Sequence, residues 1–307
     1  MLPADVMRQI RRLQLRAKRA VQTLLGGEYH SAFKGAGLAF EEVREYLPGD
    51  DVRGIDWNVT ARMGSAFIKR YVEERELTLI LAADVSGSQR FGTGAQPKRA
   101  VAAELAALIA FAAVGNNDRV GLLAFSDRVE RYVPPNKGTR HVLRLLRDIL
   151  FFEPEHSGTN LTAALDYLNK VHRRRAIVFL LSDFLDAPAP AGPAADPPPA
   201  AFADAFRRAA RKHDLIAVRT SDPREQDWPA AGLVRLEDAE TGRQLLIDTG
   251  DRRFRAAFAA RAAARRAAFT RLARSARVDV IDVSTDGNHF DALVRFFRLR
   301  ERRRRGG

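Results

Sequence analysis

The 307-residue chain contains no cysteine, which excludes disulfides, thiolate nucleophiles and cysteine-ligated zinc. Histidine is sparse and scattered. His30, His141, His156, His172, His213 and His289 show no His-x-x-x-His spacing that would set two imidazoles on one helical face. No Gly-x-Ser-x-Gly turn surrounds a serine, and Gly92-Thr93-Gly94 lacks the Lys-Ser/Thr of a phosphate loop. Serine hydrolase and nucleotide-binding chemistries are therefore disfavoured. Long apolar runs are also missing. The longest, Ala100 to Val114, contains Glu104 and is too short to span a bilayer. Met1 to Val21 alternates basic residues with Val6, Ile10 and Leu13 at helical intervals, without the apolar centre of a secretory signal. A cytoplasmic protein without a membrane span is the expectation.

Positive charge is abundant, with 51 Lys+Arg against 38 Asp+Glu and a formal net charge of +13. Such an excess raises nucleic acid or an anionic membrane as partners. Much of it is local, in Arg300, Arg302, Arg303, Arg304 and Arg305 and in the Arg/Ala-rich stretch Arg252 to Arg277. We read these as solvated helix faces and a basic tail, and keep polyanion binding as the alternative class.

Along the chain the pattern changes near residue 77. Residues 1–25 read as an amphipathic helix. Residues 26–76, with turn signals at Gly35-Ala36-Gly37 and Pro48-Gly49-Asp50-Asp51, read as a small β-rich unit with strands near Leu38 to Tyr46 and Ala66 to Val72. Trp57 is expected to be packed. Residues 77–299 alternate apolar strands with helices, interrupted by a flexible Pro/Ala loop at 187–200, and 300–307 form the tail. Strands separated by helices imply an α/β fold with a mostly parallel central sheet and helices on both faces. Ligands of such folds sit at the carboxyl ends of strands.

Three strand ends carry oxygen donors. The run Leu77 to Ala83 leads into Asp84-Val85-Ser86-Gly87-Ser88; Ser157-Gly158-Thr159-Asn160 precedes the helix at Leu161; Ala176 to Leu181 leads into Ser182-Asp183. Carboxylate and hydroxyl oxygens are hard ligands that suit Mg²⁺ or Mn²⁺ rather than zinc or copper. With only two carboxylates among five donors, the ion keeps positions for waters and for a further carboxylate from elsewhere. That is the chemistry of docking rather than turnover. His156, three residues before Thr159, is the thin candidate for a general base in a metal-dependent hydrolase, and a surface histidine is the plainer reading. Asp50, Asp51 and Asp56, beside Arg44, Arg53 and Arg62, read as a salt-bridged turn, and Glu240-Thr241-Gly242 as a hairpin turn.

Asp84, Ser86, Ser88, Thr159 and Asp183 resemble, in order and spacing, the metal-dependent adhesion site of von Willebrand factor A domains. The resemblance implies that Ser86, Ser88 and Thr159 reach the ion directly or through a water, and that Asp84 and Asp183 act largely through waters and the serines. Upstream, Glu41, Arg44, Tyr46, Gly49-Asp50-Asp51, Arg53, Ile55-Asp56-Trp57 and Ala61-Arg62 resemble the signature of the bacterial domain of unknown function family 58, in which this segment precedes an A-like domain. Gln89 departs from that pattern, because a methionine commonly follows the second serine. Many relatives also carry membrane helices before the signature, and no such run precedes it here. The resemblance implies a protein-binding module without enzymatic activity that serves as adaptor or co-chaperone of a MoxR-type AAA+ ATPase. The partner would supply an Asp or Glu carboxylate to the metal.

Overall fold

A computed structural model describes residues 4–21, 26–33, 38–48, 50–73, 76–94, 96–185, 198–240 and 242–305. The turn at Gly35-Ala36-Gly37 and most of the Pro/Ala stretch 187–200 lie outside the described residues. The chain divides into Met1–Ala32 with Thr78–Gly307, and Phe33–Leu77.

In the smaller unit β1 (Leu38–Glu45) pairs antiparallel with β2 (Phe67–Glu73). Between them lies a short helix, α3 (Trp57–Met63), which follows two helices of the larger unit, α1 (Ala4–Ala20) and α2 (Gly26–Phe33). Asp56 caps α3 by accepting from the amides of Asn58 (3.0 Å) and Val59 (3.3 Å), and Gly64 ends it at φ 76°. Arg44 donates to both carboxylate oxygens of Asp50 at 2.8 and 2.7 Å. Asp50 and Asp56 are thus tied up in a salt bridge and a helix cap. Trp57 departs from expectation: it stands at the start of a helix with no buried residue and is 67% exposed.

The larger unit holds a six-stranded sheet built from β3 (Thr78–Asp84), β4 (Arg119–Phe125), β5 (Val129–Asn136), β6 (Ile177–Ser182), β7 (Asp214–Ser221) and β10 (Asp279–Ser284), in the order β10-β7-β6-β3-β4-β5. Every neighbouring pair is parallel except β4 with β5. β8 (Leu233–Glu237) and β9 (Gln244–Asp248) form a separate antiparallel hairpin. This doubly wound, mostly parallel sheet with one antiparallel edge is the A-like arrangement expected from the sequence. Strand order reverses between β3 and β6, so their carboxyl ends lie side by side at the switch point.

Side-chain alternation divides the sheet between two helical layers. Ile80, Ala82, Leu123, Val178 and Leu180 join one core with α6 (Leu161–Val171), α7 (Ala200–Lys212) and the end of α8 (Arg252–Ser275). On the other side α4 (Lys98–Gly115) packs with α5 (Thr139–Phe151), α9 (His289–Arg305) and α1. α4 is apolar nearly all round because it is enclosed on nearly every side. In α8 burial is confined to Ala268, Phe269, Leu272 and Ala273, which leaves the Arg-rich first half as a largely solvated face.

Two boundaries differ from the sequence expectation. α2 belongs to the larger unit rather than to the β-rich one: Tyr29 is fully buried, donates to Asp118 Oδ2 at 3.1 Å and meets the Phe297 ring edge-on at 5.9 Å. The Arg-rich end is no tail but helix through Arg305, where Arg300 pairs with Asp214 and Arg303 reaches Asp279 at 2.7 Å. Among the described residues no helix is long and apolar enough to cross a membrane.

Leu180 on the central β6 is fully buried. Leu180→Ala is expected to cost about 2–5 kcal/mol in urea denaturation; a loss below about 1 kcal/mol would contradict this packing.

Candidate metal centre

The parallel register Ala83↔Leu181 brings the ends of β3 and β6 together. Asp84, 2% exposed, accepts from the Ser182 hydroxyl at 2.7 Å through Oδ2 and from the Ser86 amide at 2.9 Å through Oδ1. Both its oxygens are engaged, so it acts as a strut that joins two strand ends and shapes the following turn. Ser86 Oγ lies 3.2 Å from Ser88 Oγ, which donates to Asp183 Oδ2 at 2.8 Å. Asp183 Oδ1 accepts from the Leu185 amide at 3.1 Å. Four of the five residues expected from the sequence therefore form one continuous hydrogen-bonded chain.

Thr159 joins from the third loop. The Gly87 amide donates to Ser157 O at 2.8 Å, and the Asn160 amide donates to Ser126 O at 2.8 Å, so this loop is stitched to both neighbours. Asn160 caps α6 by accepting from the Ala163 amide at 2.9 Å. The Thr159 hydroxyl donates to Glu240 Oε1 at 2.8 Å. Phe184, just after Asp183, takes φ 57°, a left-handed conformation uncommon for a bulky residue. Its ring packs 4.1 Å from that of Phe269, and its amide donates to Ser182 Oγ at 3.0 Å.

The electrostatics add residues that the sequence did not flag. Lys98, fully buried at the start of α4, donates to Asp183 Oδ2 at 2.6 Å and also to Glu225 Oε1. Burial alone would lower its ammonium; the Asp183 and Glu225 carboxylates outweigh that and hold it above its ordinary value. Burial, and then the neighbouring Asp183 charge, push the Asp84 carboxyl up to about 7. Glu225 is raised by burial against the opposing pull of Lys98. Asp183 and Glu225 thus share the Lys98 ammonium and also feel the Arg265 guanidinium, whereas Asp84 has no such cation among the described residues, and a further positive charge beside it would relieve its burial.

The donor set fits a hard divalent cation. It consists of hydroxyl and carboxylate oxygens, with no sulfur and no imidazole. Among the described residues no group of three or more His, Cys, Asp or Glu gathers as a metal cluster. Ser86, Ser88, Asp183 and Thr159 are the residues that would hold the ion, with Asp84 orienting them. His156 stands apart, 43% exposed and 3.6 Å from Asp127, as a surface histidine does.

The family model for proteins of unknown function DUF58 matches residues 42–268. The uncharacterized protein Mb1516 of Mycobacterium bovis is 33% identical over 297 residues, covering 95% of this chain and 89% of that protein. Uncharacterized protein MAV169 of Mycobacterium avium is 33% identical over 174 residues, covering 55% of this chain and 94% of that protein. Among solved structures, the conserved hypothetical protein BatB from Bacteroides thetaiotaomicron is 14% identical, covers 74% of this chain and 99% of its own, and has a TM-score of 0.45. A von Willebrand factor type A structure from Catenulispora acidiphila is 12% identical, with 75% and 43% coverage and a TM-score of 0.42. Likenesses this distant carry over no ligand. The family match covers most of the chain, and the chain belongs to the DUF58 family.

Lys98→Met would leave Asp183 and Glu225 buried without their cation, a change expected to cost about 3–5 kcal/mol at pH 8. The cost should shrink at pH 5, where the raised Glu225 carboxyl takes up a proton and sheds part of the unpaired charge. Equal losses at both pH values would show that the ammonium does not balance this site.

Proposed function

We propose that this DUF58 protein holds Mg²⁺ or Mn²⁺ at the ends of β3 and β6 and through it grips a carboxylate of a partner protein. The observation that carries the reading is the unbroken Ser86–Ser88–Asp183 hydroxyl–carboxylate chain braced by Asp84 at the sheet's switch point. When bound, the ion supplies a positive charge with room for an outside carboxylate. Ser86 and Ser88 present neutral oxygens to it, Asp84 keeps their turn in shape, and Lys98 offsets part of the Asp183 charge. A cavity of about 330 Å³, lined in part by Asp183, Phe184, Glu225, Arg265 and Phe269, opens beside the site and leaves space for a partner's side chain. On the family resemblance, the partner proposed is a MoxR-type AAA+ ATPase, with this chain as adaptor or co-chaperone in protein assembly or maturation.

Isothermal titration with Mg²⁺ should show binding to the wild type and none to Asp183→Ala, whose circular dichroism stays native. Capture of an AAA+ ATPase from the native lysate should require Mg²⁺ and fail in EDTA. Retention by Asp183→Ala at wild-type strength would overturn the docking mechanism, and capture that ignores metal but collapses with salt would favour the basic surface.

The raised Asp84 carboxyl sets the pH dependence. Its folded value of about 7 exceeds the unfolded value of about 3.9, so the metal-free fold loses stability as pH rises through that window. Metal binding needs the charged form, so protons compete with the ion below pH 7. Mg²⁺ affinity should therefore fall by roughly tenfold from pH 8 to pH 6, and the gain in Tm on adding Mg²⁺ should shrink with it. A flat profile would mean that Asp84 stays charged without metal.

A further inference from the structure

The hairpin of β8 and β9 reads from the sequence as an ordinary connection with its turn at Glu240-Thr241-Gly242, but it is seated on the candidate metal centre. Three observations fix it there. The Thr159 hydroxyl donates to Glu240 Oε1 at 2.8 Å. The Ser157 hydroxyl donates to the Glu240 backbone carbonyl. Gly87, between the candidate ligands Ser86 and Ser88, lies so close to the turn that a Cβ there would meet the Ala239 carbonyl oxygen at 2.2 Å and its carbon at 2.9 Å. The absence of a side chain at Gly87 is what lets the hairpin backbone approach the Asp-x-Ser-x-Ser turn. Within the turn, Asp238 Oδ1 accepts from the Glu240 amide at 2.8 Å, which pre-forms the bend that presents Glu240.

The hydroxyl that receives Glu240 belongs to one of the five residues assigned to the ion. The hairpin itself is separate from the central sheet, and Leu233, Leu245 and Leu246 are 69%, 43% and 67% exposed. An isolated two-stranded hairpin is marginal in water, so it is suited to swing without disturbing the core.

We propose that Glu240 is the protein's own carboxylate for this site, an internal ligand that completes the metal's coordination at rest and must be displaced before a partner's carboxylate can take its place. This rests on the metal-binding reading above and assigns the site its regulation: the β8–β9 hairpin is the gate, and competition between two carboxylates is the switch.

The test uses the full chain and three probes: Mg²⁺ alone, acetate as competing carboxylate, and trypsin, for which exposed Arg243 beside the turn is a cleavage point. In the wild type, Mg²⁺ should slow cleavage after Arg243, and acetate added in Mg²⁺ should restore it. Glu240→Gln keeps an oxygen for Thr159 but loses the charge. It should bind Mg²⁺ about five- to tenfold more weakly and show no Mg²⁺-dependent protection, with an unchanged Tm in EDTA. Wild-type Mg²⁺ affinity and protection in Glu240→Gln would overturn the internal ligand while leaving the metal site standing. Absence of Mg²⁺ binding in the wild type would overturn the metal site and this proposal together.

Discussion

The hydrogen bond from Ser182 to the buried Asp84 carboxylate joins the ends of two neighbouring parallel strands at the point where the sheet reverses its winding. Much else in the centre depends on it. With its second oxygen taken by the Ser86 amide, Asp84 bends the chain so that Ser86 and Ser88 turn back toward Asp183. A buried carboxylate is tolerated only where its lone pairs are satisfied. Even so, burial leaves its charge costly, and that cost makes the site receptive to a cation.

Lys98 is the cation that the fold supplies to the neighbouring carboxylates Asp183 and Glu225. Its ammonium lies between Asp183 and Glu225 with no solvent exposure, held there because α4 begins at that residue. An ammonium in this place does not remove the case for a metal. It binds Asp183 and Glu225, whereas the hydroxyls of Ser86, Ser88 and Thr159 remain on a path that Lys98 does not claim. Neutral hydroxyls gathered beside charged carboxylates form a set that a divalent cation can share with an incoming carboxylate.

The hairpin alters how docking would be controlled. A site open to solvent would accept any exposed carboxylate that diffused to it, with little selectivity. With Glu240 resting against Thr159, an incoming carboxylate would on the proposed reading have to outcompete one held at high local concentration by the chain itself. Selectivity would then come from contacts around the site, such as the cavity beside Asp183 and Phe184, rather than from the carboxylate alone.

Local pattern determined the elements. Apolar strands, the Ala-rich α4 and the hairpin strands Leu233–Glu237 and Gln244–Asp248 stand where side-chain period places them, because each is set by residues adjacent in the chain. That Asp84, Ser86, Ser88, Thr159 and Asp183 stand on polar loops at the ends of elements was also legible, since each borders an apolar run in the chain. The fate of α2 was not, because its burial depends on Tyr29 finding Asp118 and Phe297. Nor were the partners of the site: Lys98 meets Asp183 across 85 positions and Glu225 across 127, and Glu240 meets Thr159 across 81. No local spacing records such meetings. They arise only when parallel strands bring their carboxyl ends to one edge, where charges distant in sequence come within hydrogen-bonding reach and alter one another's energies.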